Sequence, residues 1–236
     1  MRISKVLLLV LFLITSCLPV QKQQSLNELS PELKKIEIYN ASASEKNIIY
    51  LALSIMTKEV QESVEFVSIN DDSKHYAIKS VKGEIAGHFE LKTNPANPEK
   101  TLTGFCLKST SIRADVINHE ASHCFEYRRQ PELGNRWKEI AGDVYVNKNT
   151  VFDVYHLDPS YHKQGVLSQY GSRNHREDFS EWVEEIYKAR REEDSAFIYI
   201  KDKKDPRYFA KLELLRNEKA ISEEDYKFIK NKYFKN

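Results

Sequence analysis

Apolar residues change their spacing several times along this chain, and each change predicts an element. Val6 to Ile14 form an unbroken apolar run of nine. Residues 18–32 follow with a polar, aperiodic stretch. From 44 to 60, Ile48, Ala52, Ile55 and Met56 fall at helical spacing behind a candidate Ser44 cap, which predicts a packing helix. Four short runs come next, VEFVSI, HYAIKS, GHFELK and GFCLKS, separated by Asp-Asp, Lys-Gly and Asn-Pro turn signals. They predict a small, mostly antiparallel sheet. Ile117, Ala121, Cys124 and Phe125 cluster on one side of a helical wheel, and a further helix surrounds Trp137. An irregular stretch from about 146 to 170 precedes a long helix, Asn174 to about Arg191, striped by Phe179, Trp182, Val183, Ile186 and Tyr187. A last helix is expected after Ser222. The predicted class is α+β, a minor sheet followed by a mainly helical second half.

Composition narrows the partners. Thirty-six basic and 35 acidic residues are thoroughly mixed, giving a net charge of +1. No basic stripe stands out, so nucleic acid is not expected as a partner. The first residues bear on location. Arg2 and Lys5 precede the nine apolar residues, a run too short to span a bilayer and suited to a signal-peptide core. The run ends in Ile14-Thr15-Ser16-Cys17, which resembles the lipobox of bacterial lipoproteins. That resemblance implies a signal peptide over 1–16 and lipidation at Cys17. It further implies a tether over 17–32, a domain over 33–236 and an extracytoplasmic location with a membrane contact through the lipid. The alternative is a plain secretory signal with a chance cysteine.

The candidate chemistry lies in the helix before Trp137. His119, Glu120 and His123 match His-Glu-x-x-His. On a helix, positions i and i+4 share a face, so both imidazoles can reach one ion, and Glu120 stands beside them as a base for an attacking water. The histidines lie opposite the apolar side of the wheel, which favours a cleft over the core. A catalytic zinc needs a third protein ligand and one open position. A metzincin would place Gly and His at 126 and 129, where this chain has Glu126 and Arg129, so that class is excluded.

Tyr170-Gly171, Asn174, Glu177, Phe179 and Glu181 reproduce Y-G-x-x-N-x-x-E-x-F-x-E. Together with the histidine motif, residues 105 to 187 resemble the metalloprotease domain of the anthrax lethal factor type, within the gluzincins. The resemblance implies a zincin-like fold, one zinc ion and a peptide or protein substrate. It implies Glu177 as third ligand, Tyr170 as the phenol facing the substrate carbonyl, Glu181 (with Asn174) supporting the ligands, and Glu120 as general base. Asp178 and Ser180 depart from the family's usual apolar residue and alanine. On this reading GFCLKS or GHFELK would be the edge that pairs an extended substrate.

Residue patterns alone leave alternatives. Glu177, Glu181, Glu184 and Lys188 lie opposite the apolar stripe, which also fits a solvated face with i,i+4 pairing, and Asn174 with Glu177 also reads as a capping box. Asp143, His156 and His175 are other candidates for the third ligand. His75, His88 and His162 are expected on strands or the surface. Cys106 and Cys124 would form a disulfide tying a strand to the motif helix, or stand as two buried thiols. The functional alternative to a peptidase is a zinc-containing cell-surface binding lipoprotein without catalysis, to which a general base at Glu120 would be useless.

Overall fold

The computed structural model describes residues 29–70, 87–145, 165–200 and 202–234. The expected signal peptide, Cys17, most of the tether, the HYAIKS run with His75, and the stretch holding His156 and His162 lie outside these residues. Among the described residues no helix is long and apolar enough to cross a membrane.

The elements are β1 (Glu37–Tyr39), α1 (Ala43–Ser54), α2 (Lys58–Gln61), β2 (Phe66–Asn70), β3 (Gly87–Asn94) and β4 (Asn97–Lys108). They continue with α3 (Ala114–Arg128), α4 (Glu132–Ala141), α5 (His175–Arg190), α6 (Pro206–Asn217) and α7 (Glu223–Tyr233). The class is α+β, as expected. The sheet is mixed, in the order β1-β2-β4-β3. Ile38 lies opposite Val67 and Val67 opposite Phe105 in parallel pairs, whereas Phe89 meets Phe105 in an antiparallel one. The expected mostly antiparallel sheet is therefore corrected. Only β3 and β4 are joined by a tight turn; β1 reaches β2 through α1 and α2, a crossover that returns the chain in the same direction. The order also places GFCLKS, in β4, inside the sheet, so of the two candidates GHFELK, in β3, is the one at an edge among the described residues.

The expected helix over 44–60 is two helices. Ser42, not Ser44, caps α1 in a reciprocal box: Glu45 N–H donates to Ser42 Oγ at 3.3 Å and Ser42 N–H to Glu45 Oε2 at 2.6 Å. Thr57 then caps α2. The buried face carries Ile49, Ala52, Leu53 and Met56, while Ile48 and Ile55 are exposed. Adjacent isoleucines at 48 and 49 made the stripe ambiguous by one step of the wheel.

Val67, Ile69, Phe105 and Leu107 alternate onto one sheet face and bury against Ile117, Ala121, Cys124 and Phe125 of α3. The predicted apolar side of α3 is thus its core side. The opposite flank of α3 packs along α5, whose predicted stripe, Phe179 to Tyr187, is wholly buried. Hence α3 is enclosed on most sides, and its buried Asn118 is satisfied internally: Nδ2 donates to Ala52 O at 2.9 Å and Oδ1 accepts from Arg191 at 2.8 Å. Helix α6, unanticipated in the sequence, starts on Asp205 as cap with Pro206 in the first turn, and buries Tyr208, Leu212 and Leu215.

Candidate metal centre

Two helices build the site. His119, Glu120 and His123 project from the middle of α3. Glu177 lies in the first turn of α5, where Asn174 Oδ1 accepts the N–H groups of Arg176 and Glu177 at 2.9 and 3.1 Å. That cap fixes the turn from which the Glu177 side chain reaches across. His119 Nε2 and His123 Nε2 lie 3.3 and 3.4 Å from the same oxygen, Glu177 Oε2. Donor atoms of the three residues all fall within 4.8 Å of one another, a group that could hold a metal ion. Two atoms each about 2.1 Å from a tetrahedral ion stand roughly 3.4 Å apart, so the spacing fits a zinc-sized cation. The donor chemistry agrees: two imidazoles and a carboxylate suit a borderline divalent metal. Asp143 is exposed after α4, and His175 Nε2 instead faces Glu126 at 3.4 Å, so neither joins the group.

Behind the group stands a residue that sequence reasoning assigned elsewhere. His119 Nδ1 is 3.0 Å from Glu184 Oε2. A carboxylate there fixes the ring orientation and leaves Nε2 to face an ion. The resemblance had given this supporting place to Glu181. Here Glu181 turns toward the Tyr170–Gly171 loop, and Glu184, read in the sequence as part of a charged face, occupies the position behind the histidine. The available signal was its place seven residues, two helical turns, beyond Glu177.

Glu120 is 6% exposed, and its Oε2 is buried without a hydrogen-bond partner among the described residues. Burial, helped by the neighbouring Glu177 and Glu184 charges, raises its pKa against the pull of the two histidines. Gly87, the first residue of β3, lies against it: a Cβ there would stand 3.0 Å from Glu120 Cγ and 3.1 Å from Oε1. The edge strand therefore starts at the site. Tyr170 closes another side, its ring 5.9 Å from that of His119. Burial and the adjacent Glu177 carboxylate hold its phenol well above the ordinary value. For His119, burial disfavours charge but Glu177 and Glu184 outweigh it; for Glu177, burial is outweighed by both histidines, and its pKa falls well below the usual range.

Cys106 and Cys124 are both buried, and no disulfide joins them. The expected bond is corrected to the alternative of two thiols in the core. Cys124 faces the sheet beneath α3, away from the metal group, and burial raises its pKa well above the ordinary value.

No family model and no curated protein matches the sequence. Among solved structures, a candidate zinc-binding metallo-peptidase from Bacteroides caccae is similar over 87% of this chain and 83% of that chain, at 11% identity and a TM-score of 0.48. A likeness that loose carries no argument about chemistry, which rests on the residues above.

Proposed function

We propose that the protein is an exported zinc metalloendopeptidase, held at a membrane face by a lipid on Cys17. The observation that supports it most is the convergence of His119, His123 and Glu177 beside a buried, unpaired Glu120 oxygen. A purely structural ion site has no use for such a base. Zinc, when bound, would acidify a water and polarise a peptide carbonyl. Glu120 accepts the water's proton and delivers it to the departing nitrogen. Burial raises its pKa, the direction that helps a carboxylate accept a proton. Tyr170 keeps its phenolic proton and donates a hydrogen bond to the carbonyl oxygen as charge develops there. Among the described residues β3 is an edge strand that begins at Gly87 beside Glu120, where its backbone groups would pair with an extended peptide.

The test is metal analysis and peptide-library hydrolysis with wild type and Glu120→Gln side by side. We expect the variant to keep its metal and lose about 100- to 10,000-fold in turnover. Metal-loaded wild type that cleaves no peptide would instead favour the binding lipoprotein. The location is tested separately, by fractionation in the native host: a Cys17→Ser protein that stays with membranes removes the lipid anchor from the reading.

A further inference from the structure

Glu181 is the one carboxylate of the α5 face that the metal group leaves unused. It is buried, and its Oε2 has no hydrogen-bond partner among the described residues. It lies directly against Gly171, where an added Cβ would overlap Oε2. Ser168 stands beside the carboxyl group. Its Oγ accepts the N–H groups of Tyr170 at 3.0 Å and Gly171 at 3.4 Å, which occupies both lone pairs of the hydroxyl. The backbone that carries Tyr170 is therefore held from two sides, by the Ser168 hydroxyl and, at Gly171, by a carboxyl group from a rigid position in the middle of α5.

We infer that Ser168 and Glu181 are positioning residues for Tyr170, acting on the loop that presents its phenol and not on the metal. This rests on the peptidase reading for what Tyr170 does, though not for where it is held. The contact of Glu181 with Gly171 is one of packing, so the arrangement does not depend on titration. The same contact explains the glycine after Tyr170: any side chain at 171 would displace the carboxyl group that anchors the loop.

A double-mutant cycle on the metal-loaded full chain tests this. Ser168→Ala should lower kcat about tenfold with KM and metal affinity unchanged, because only the transition-state contact is misplaced. In the Tyr170→Phe background the same change should cost less than about twofold, since the donor it positions is gone. Glu181→Ala should behave likewise, and Glu181→Gln should recover most of that loss because an amide of the same size still backs Gly171. An equal loss in both backgrounds, or a loss of metal affinity, overturns the inference. A second readout is independent of hydrolysis. In protein labelled with 3-fluorotyrosine, the Tyr170 resonance, identified by its disappearance in Tyr170→Phe, should shift or broaden in Ser168→Ala. An unmoved resonance overturns the positioning role even if the wild type proves to cleave nothing, a result that would by itself sink only the peptidase reading.

Discussion

Glu177 and Asp178 are neighbours in the first turn of α5, yet they serve opposite ends. Asp178 is fully buried, and its Oδ2 accepts from Trp137 Nε1 at 2.8 Å, from the Tyr145 hydroxyl at 2.6 Å and from Lys211 Nζ. Lys211 is equally buried and also donates to Gly165 O at 2.8 Å. This carboxylate ties α4, α5, α6 and the segment at Gly165 together. Glu177, about 100° around the helix, faces two imidazoles and the Tyr170 phenol among the described residues, in a partly open site. One charge is answered by the protein itself. The other is presented where an ion fits. The lesson is that two neighbouring carboxylates are told apart by what faces them: a buried lysine with two further donors on one oxygen marks architecture, whereas imidazoles around a half-buried oxygen mark chemistry.

The sharpest way to break this contrast is a pair of alanine variants. Glu177→Ala should weaken metal binding more than about 100-fold while leaving the chelator-treated protein close to wild type in stability. Asp178→Ala should do the reverse, costing about 3–5 kcal/mol because Lys211 is left buried without its counter-charge. Urea denaturation under chelator and metal titration separate the two; similar losses in both measurements for both variants would erase the distinction.

Glu181 extends the comparison to pH. Burial pushes its carboxyl up to about 8, from an unfolded value of 4.5. The fold therefore favours the protonated form. That contribution is complete below pH 4.5 and is lost as pH rises through 8. Glu181→Gln removes it, so the stability of the variant relative to wild type should climb between these limits, by on the order of a few kcal/mol. Parallel stability curves for the two proteins across that range would contradict a buried, protonated Glu181.

Glu184→Gln gives the smallest effect. An amide at 184 can still meet His119 Nδ1 but lacks the charge, and metal affinity should fall about 10- to 100-fold. Unchanged affinity in a competition titration would return Glu184 to the ordinary charged face the sequence suggested.

Much of this was legible before the fold was known, for reasons tied to particular residues. The two histidines and Glu120 declare themselves because the i,i+4 relation is local. Asn174 reads as a cap, and Phe179 to Tyr187 as a stripe, on the same ground. Legibility ends where a side chain's partner is distant in sequence. Asp178 registered as a departure from a pattern, and only the arrival of Lys211 from α6 gives it a reason. Glu184 and Glu181 are both polar residues of one helix; which supports His119 and which backs Gly171 depends on how α5 is rotated against α3 and the 168–171 loop. Sheet order was hidden likewise, since strand runs carry no direction until the crossovers between them are placed.

The third ligand comes from far along the chain. His119 and Glu177 are 58 residues apart, whereas the histidine pair is complete within one helical turn. An ion held by all three would act as a removable cross-link, closing a loop whose entropy in the unfolded chain corresponds to about 4 kcal/mol. With two ligands on one side of the α3–α5 seam and one on the other, any loosening of that seam would cost the ion a ligand, so the lifetime of the bound ion would report on how firmly the two helices stay packed.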